Sequence, residues 1–243
     1  MYIKEEENLD QSIVVDDEHK IQMALGSRIL DSYIEGNLYL DRYACVNRVT
    51  CGQFNGLGNF SYVSRSNIGR YCNMGARISV GGFEHPLNWL SISSIQFRSD
   101  AFFESVQPVV DYAENDNIIT EIKNDVWVGD NAVIKSGITL STGCVIGAGS
   151  VVTKNVSPYE IVAGNPAKLI RRRFDDKIIE DLLNLEWWLL SPGDLSGVSF
   201  DQIDLAILIA SHCKRYGAIK FLYSFLLGFP FLNTTQAATG LVP

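Results

Sequence analysis

The chain has 243 residues, a formal net charge of −8, 47% hydrophobic residues and 20% charged residues. This length allows one large domain or two small ones, and the acidic balance argues against a nucleic-acid partner, because binding to phosphates needs a basic surface. The acidic N-terminus lacks an apolar run, so no signal peptide is expected, and the apolar run at 221–231 is too short for a membrane span. We therefore expect a cytoplasmic protein.

The cysteines do not indicate a disulfide framework or a metal site. Five cysteines without CxxC spacing are a poor basis for disulfides or for zinc. Cys72 and Cys144 are predicted to be small buried hydrophobic residues in a reducing compartment. No metal is expected.

The first 82 residues divide into an extension and a block of short strands. Residues 1–26 are polar and acidic and are predicted to be a weakly ordered N-terminal extension. From 27 to 82, short β-type runs alternate with Asn, Gly and Ser. Towards the end of this block aliphatic residues recur every six positions, each followed by glycine: Ile68, Met74 and Val80.

A stretch without this repeat follows at 83–117. It contains His85, Pro86 and several aromatic residues, among them Trp89, Phe97, Phe102, Phe103 and Tyr112. Long aperiodic excursions from a compact fold are usually functional or disordered. The aromatic content favours an ordered, functional loop.

The six-residue repeat resumes and becomes strict. Aliphatic residues stand at Val128, Ile134, Leu140, Ile146 and Val152, and the fourth residue after each is small or β-branched. A helix repeats at 3.6 residues and a strand at 2, so a repeat of six indicates a short strand, a corner and another short strand. This is the hexapeptide β-helix pattern. A buried parallel sheet with accidental spacing is the alternative, and the repeated glycines and the lack of intervening helices argue against it.

From residue 175 the pattern becomes helical. Apolar residues fall on one helical face at Ile178, Leu182, Leu185, Trp188 and Leu189. Further helices are predicted over 200–216, capped by Ser199 or Asp201, and over 219–227. The predicted organisation is therefore a β-helix domain at 27–174 with the loop 83–117, a helical segment at 175–232 that covers the open strand edge, and a tail at 233–243 that is disordered or a tag remnant.

Two stretches resemble hexapeptide-repeat acyltransferases. The first is IGRYCNMGARISVGGFEHPLNWL at 68–90, and the second, at 124–174, carries a DVW-G step and an NPAK run. The second resembles the xenobiotic acetyltransferase branch, which holds chloramphenicol and streptogramin acetyltransferases and related sugar O-acetyltransferases. The resemblance spans about residues 58–190. It implies a left-handed parallel β-helix, an exception to the right-handed crossover rule, a homotrimer with sites between subunits, and acetyl-CoA as the donor.

The resemblance implies that His85 is the general base. A neutral imidazole suits this task because its usual pKa lies near working pH. The alternative is that His85 only caps a turn before Pro86. The family usually has Asn or Gly before this histidine and Asp three residues after it, where this chain has Glu84 and Asn88. The group that orients His85 is therefore open, and Glu84 is either a surface charge or polarises the imidazole.

The resemblance also implies a binding site for coenzyme A. Ala148, Gly149, Thr153 and Lys154 match family positions along the pantetheine arm, and Asp130 is assigned to the same site. Trp127 lies beside the thioester path in the resemblance, or is only a packing residue of the coil. A basic run at Lys168, Arg171, Arg172 and Arg173 is either a solvated face or a site for the phosphates of coenzyme A, to which we assign Lys168 and Arg171.

These residues predict an acetyl-CoA-dependent O-acetyltransferase that acts by direct attack on a sugar or glycan acceptor. The HPLNWLS segment resembles sugar-modifying members, in which His-Pro is frequent, and this favours a sugar. Acetylation of an antibiotic of the chloramphenicol or streptogramin type is the alternative. A non-catalytic β-helix scaffold is an alternative of another class. A metal-dependent β-helix enzyme would need three coordinating histidines on neighbouring coils, and the predicted coils offer only His85.

Overall fold

The computed structural model describes residues 2–7, 14–16, 18–96 and 118–216, and the chain divides into two compact units at Asp175/Asp176. The described residues of the first unit form eighteen strands. They are β1 (Tyr2–Glu7), β2 (Val14–Asp16), β3 (Ile21–Met23), β4 (Arg28–Ile34), β5 (Leu38–Leu40), β6 (Cys45–Cys51), β7 (Asn55–Leu57), β8 (Tyr62–Ile68), β9 (Asn73–Met74), β10 (Ser79–Val80), β11 (Thr120–Ile122), β12 (Trp127–Val128), β13 (Val133–Ile134), β14 (Thr139–Leu140), β15 (Val145–Ile146), β16 (Val151–Val152), β17 (Glu160–Ala163) and β18 (Lys168–Arg172).

The strands from β3 to β17 stack in parallel on successive coils, whereas β1, β2 and β18 pair antiparallel with β4, β3 and β17. One sheet follows the order β3-β5-β7-β9-β12-β15-β17, and another follows β4-β6-β8-β10-β13-β16. The second halves of β6 and β8 continue into a third column with β11 and β14. The fold is therefore the predicted left-handed parallel β-helix. The inserted loop leaves the stack after Val80, at the end of β10, and the chain returns at Thr120, at the start of β11. We call the corner between the column of β10 and β13 and the column of β11 and β14 the loop corner.

The inward positions of the strict repeat form the core. Val128, Leu140 and Ile146 have no exposed surface, and Ile134 and Val152 are at most 2% exposed. The small residues four positions later, such as Ala132 and Cys144, are buried as well. Their glycine neighbours lie against the next coil: a Cβ added to Gly129 would lie 2.6 Å from the backbone nitrogen of Ala148. The repeat therefore encodes both the core and the close stacking of coils.

The two blocks differ in coil length. In the first block Cys45 pairs with Tyr62 and Tyr62 pairs with Ser79, so one coil takes 17 residues. In the second block Val133 pairs with Val151, so one coil takes 18 residues. The missing residue is at the loop corner, where one residue in each 17-residue coil takes a left-handed conformation: Asp31, Arg48 and Arg65, with φ +43°, +56° and +43°. This shorter corner is why the six-residue repeat is loose at the start of the chain.

The coils begin at Ile21 rather than at residue 27. Strand β3 pairs in parallel with β5, as in the later coils. Before it, β2 pairs antiparallel with β3, and β1 pairs antiparallel with β4. The expected N-terminal extension therefore contributes three strands to the first unit. Residues 1, 8–13 and 17 lie outside the described part of the chain.

The second unit contains helices α1 (Asp176–Leu185) and α2 (Ile203–Tyr216) and a 3-10 turn at Trp187–Leu189. Leu182, Leu185 and Trp188 are buried as predicted, but Leu189 is 52% exposed. The cause is Glu186, which takes a left-handed conformation and ends the helical face before Leu189. Helix α2 begins at Ile203 rather than at residue 200. The predicted helix at 219–227 and the tail at 233–243 lie outside the described residues, among which no helix is long and apolar enough to cross a membrane.

Candidate functional site

His85 lies at the start of the inserted loop, five residues after Val80, and its side chain is exposed. Its Nδ1 atom is 2.6 Å from the backbone carbonyl oxygen of Ile92. A carbonyl oxygen can only accept, so Nδ1 carries the proton of the neutral imidazole. The lone pair is then on Nε2. This is the tautomer that a histidine needs to take a proton from a substrate at Nε2.

An aromatic ring lies next to the imidazole, and a guanidinium lies over that aromatic ring. The ring of Phe83 meets that of His85 edge to face, with 5.5 Å between centroids. The guanidinium of Arg65 lies over the Phe83 ring, 5.6 Å from its centroid. It also donates to the carbonyl oxygen of Gly81 at 3.3 Å. The start of the loop is thus fixed to the preceding coil through Arg65.

Glu84 connects the loop to the following coil. Ser136 Oγ donates to its carboxylate at 3.0 Å, and Lys135 Nζ lies 2.9 Å from the same oxygen. The hydrogen bond from Lys135 is the main reason that the pKa of Glu84 is lowered, and the bond from Ser136 acts in the same direction. Ser136 is buried, whereas the Lys135 and Glu84 side chains are each nearly half exposed. The carboxylate predicted either to lie on the surface or to polarise His85 therefore makes a specific contact with the next coil.

The predicted pantetheine contacts Thr153 and Lys154 lie at the loop corner, one coil beyond Lys135. The backbone nitrogen of Lys135 donates to the carbonyl oxygen of Val152 at 2.9 Å, and Ile134 pairs with Val152. Thr153 and Lys154 directly follow that strand, and both side chains are exposed. The coil stack therefore places them beside the corner that holds Glu84.

Asp130, Ala148 and Gly149 meet at a second corner, which we call the Asp130 corner. The backbone nitrogen of Gly149 donates to the carbonyl oxygen of Asp130 at 2.8 Å. The Asp130 carboxylate accepts from the backbone nitrogen of Ala76 at 2.9 Å, so it also links two coils. Gly149 has a φ of +68°, and a Cβ built there would meet nothing within 4 Å. This corner leaves open space above the backbone, as a bound pantetheine chain requires.

Trp127 and Arg171 lie in one row across a sheet. Trp127 pairs with Val145, Val145 with Ile161, and Ile161 with Arg171. At a strand spacing of about 4.8 Å, the two side chains are roughly 14 Å apart. The Trp127 side chain is 58% exposed on the outer face, and Lys168 is exposed on the same strand as Arg171. The row is long enough for an extended ligand.

The basic run separates into an exposed part and a partly buried part. Arg173 Nη1 donates to Asp125 Oδ2 and to the carbonyl oxygen of Gly143, each at 2.9 Å. Its guanidinium also lies over the rings of Tyr159 and Phe174, at 5.2 and 5.3 Å. Arg173 therefore holds the last coils together, and Lys168, Arg171 and Arg172 are the exposed cations of the run.

Sequence reasoning did not identify the carbonyl of Ile92, Lys135 or Ser136 as parts of this site. A backbone carbonyl has no residue signature. Ser136 and Glu84 are 52 positions apart, and their contact depends on the path of the inserted loop. The longer corner of the 18-residue coil is the only sequence signal that bears on Lys135 and Ser136.

We expect Arg173→Leu to destabilise the coil unit. Removing one partner of a buried ion pair costs about 3–5 kcal/mol, and this pair is partly exposed, so we expect a loss of about 1–3 kcal/mol at neutral pH. Burial raises the pKa of Asp125 above its usual value, against the effect of Arg173. Without Arg173 the pKa of Asp125 rises further, so protonation of Asp125 stabilises the folded variant. The loss of stability should therefore shrink as pH falls through this raised pKa.

The loss of stability is measured by urea unfolding of the wild type and of Arg173→Leu. The measurement is made at neutral pH and at the lowest pH at which the wild type stays folded. Arg172→Leu, which changes an exposed neighbour, is the matched control. Equal destabilisation at both pH values would contradict the assignment.

Known proteins share this fold and parts of this sequence. A family model for the bacterial transferase hexapeptide (six repeats) matches residues 119–154. A chloramphenicol acetyltransferase from Agrobacterium fabrum (strain C58 / ATCC 33970) is 45% identical over 127 residues, which are 50% of this chain and 58% of that protein. The chain thus spans less than two thirds of that relative. A probable macrolide acetyltransferase from Lysinibacillus sphaericus is 34% identical over 142 residues, 57% of this chain and 74% of that protein.

A longer match is the chloramphenicol acetyltransferase from Morganella morganii, 38% identical over 169 residues, which are 68% of this chain and 75% of that protein. Among solved structures, a variant of AntD, an N-acyltransferase from Bacillus cereus, in complex with dTDP and Coenzyme A, has a TM-score of 0.51 at 16% identity, covering 68% of this chain and 87% of that chain. This structural likeness concerns the fold alone.

Proposed function

This chain belongs to the hexapeptide-repeat family of bacterial acetyltransferases, and from that membership we propose that it transfers an acetyl group from acetyl-CoA to a hydroxyl of a sugar or glycan acceptor. The observation that carries the proposal is the contact between His85 Nδ1 and the Ile92 carbonyl at 2.6 Å, because it leaves Nε2 as the basic atom of an exposed imidazole.

His85 acts as the general base in a direct transfer. Its Nε2 takes the proton of the acceptor hydroxyl as that oxygen forms a bond to the thioester carbonyl carbon. When the tetrahedral intermediate collapses, the carbon–sulfur bond breaks, and the imidazolium returns the proton to the leaving thiolate. The Ile92 carbonyl keeps the ring oriented and stabilises the imidazolium that forms between these steps.

The binding site of acetyl-CoA extends, in this proposal, from the loop corner past the Asp130 corner. The phosphates and the pantetheine arm need cations and a close backbone approach. Exposed Lys154, Lys168 and Arg171 supply the cations, and the open space at Gly149 supplies the approach. Trp127 is 58% exposed, and in this proposal its indole N–H is the donor beside the thioester.

The acceptor in this proposal is a sugar, with an antibiotic as the second candidate. The Phe83 ring beside His85 offers a face of the kind on which sugar rings stack, and His85 is followed by Pro86. The second candidate is favoured by the relatives, which are named chloramphenicol, macrolide and virginiamycin acetyltransferases. Either acceptor presents a hydroxyl to the same base.

The acceptor is tested by a side-by-side assay of thiol release from acetyl-CoA. The panel contains free sugars, nucleotide sugars, oligosaccharides, chloramphenicol and a streptogramin. We expect turnover with one of the sugar classes. Efficient acetylation of an antibiotic together with no turnover of any sugar would replace the sugar acceptor by the second candidate.

We further propose that the active form is a homotrimer. The start of the inserted loop exposes apolar side chains that a neighbouring subunit would cover, because Leu87, Leu90 and Ile92 are 89%, 98% and 64% exposed. Light scattering on the active enzyme measures the assembly. A mass of one 27.0 kDa chain in solution would contradict the trimer.

Removal of the imidazole should abolish most turnover. We expect His85→Ala to lower kcat by about 10²–10⁴-fold, the usual contribution of general base catalysis, with an unchanged unfolding midpoint. His19→Gln changes a histidine outside the site and serves as the control. Near-normal kcat in the His85→Ala variant would rule out the base.

Removal of the two exposed cations should weaken donor binding alone. We expect Lys168→Ala combined with Arg171→Ala to raise KM for acetyl-CoA about 10–100-fold, because two charge-assisted contacts to phosphate are lost. KM for the acceptor should not change. Arg42→Ala, an exposed arginine of the first block, is the control. An unchanged KM for acetyl-CoA in the double variant would place the phosphate site elsewhere.

A further inference from the structure

We propose that Glu84 is a positioning residue for His85. It holds the segment that carries His85 by binding the next coil, and it does not polarise the imidazole. The inference rests on the proposed function of His85. It assigns a task to a carboxylate whose observed contacts are on the stack, at Ser136 and Lys135. It also assigns Lys135 and Ser136 as the receiving groups.

The two residues that hold the His85 segment lie on either side of the histidine. Glu84 contacts Ser136 Oγ at 3.0 Å and Lys135 Nζ at 2.9 Å, and the Ile92 carbonyl accepts from the imidazole at 2.6 Å. The receiving corner is itself fixed, because the backbone nitrogen of Lys135 donates to Val152 O at 2.9 Å. The segment is thus attached to the rigid stack directly before the base.

The hydrogen-bonding capacity of the imidazole argues against polarisation by Glu84. A carboxylate polarises a histidine by accepting its Nδ1–H, and the Ile92 carbonyl already accepts that proton. The other nitrogen, Nε2, must remain available to the acceptor hydroxyl. In the proposed function, the two ring nitrogens therefore have partners other than Glu84: the Ile92 carbonyl and the acceptor hydroxyl.

The charge of Glu84 is compensated where it lies. The hydrogen bonds from Lys135 and Ser136 lower the pKa of Glu84, so the contact is complete at neutral pH and is lost only as pH falls through that lowered value. Among the described residues, Arg65 is a further charged group, and it lies over Phe83, two residues before His85. The carboxylate therefore holds the segment at neutral pH while Lys135 offsets its negative charge.

Kinetics of single and double variants test this task. We expect Glu84→Ala to lower kcat about 10–100-fold, since a displacement of the base of about 1 Å costs this much, with KM for acetyl-CoA unchanged. Ser136→Ala should lower kcat less, and Glu84→Gln should recover part of the loss because its amide can still pair with Ser136. Lys123→Met, which removes the exposed Lys123–Glu121 pair at 2.8 Å, is the matched control.

The double variant separates the two roles of the carboxylate. If Glu84 acts through Ser136, then Glu84→Ala combined with Ser136→Ala is no slower than Glu84→Ala alone. If the fold-decreases in kcat of Glu84→Ala and Ser136→Ala multiply in the double variant, the proposal is overturned. A shifted acid limb in the pH–rate profile of Glu84→Ala, with an unchanged kcat plateau, would also overturn it, because it is the mark of direct polarisation.

A measurement that needs no turnover keeps this test separate from the proposed function. The chain has three histidines, so the imidazole nitrogens of His85 can be assigned by NMR with the aid of His19→Gln and His212→Gln. We expect the wild type to show the Nδ1–H tautomer and Glu84→Ala to show a mixture. A full Nδ1–H population in Glu84→Ala would overturn the proposal, whereas a mixture in a protein without acetyltransferase activity would contradict only the proposed function.

Discussion

The parallel stacking of coils in fixed register is the constraint on which the remaining features of this molecule depend. Each coil donates its backbone N–H groups to the coil beside it, and each inward aliphatic residue packs on its copies above and below. The register turns sequence distance into spatial adjacency: residues 18 positions apart become neighbours. Thr153 lies beside the corner of Lys135, and Gly149 binds Asp130, for this reason alone.

The site results from one interruption of this stacking. The chain leaves the ladder after Val80, and the returning coil provides a corner at 135–137 that accepts Glu84. The segment that carries His85 is then attached at two points, by the Glu84 carboxylate to the stack and by the imidazole to the carbonyl of Ile92. In the proposed function, the rigid stack fixes the position of the segment and the loop supplies the base.

The sequence is informative where one residue position repeats and uninformative where a contact joins a loop to the stack. Leu140 and Ile146 are predictable as core because burial imposes the same residue type every six positions. The first block escapes this reasoning, since a single residue missing at the Arg65 corner shifts the repeat in every coil. Leu189 was placed on the wrong face, because a left-handed Glu186 breaks the helix. The partners of Glu84 and the inward turn of Arg173 depend on three-dimensional paths that no local pattern encodes.

The change in coil length does not interrupt the columns of the stack. Strand β10 pairs in register with β8 on one side and with β13 on the other, so 17-residue and 18-residue coils follow one another directly. The difference of one residue is confined to the loop corner, because β11 likewise pairs with both β8 and β14. A residue can therefore be gained or lost at this corner while the strands keep their partners, and it is at this same corner that the inserted loop leaves the stack.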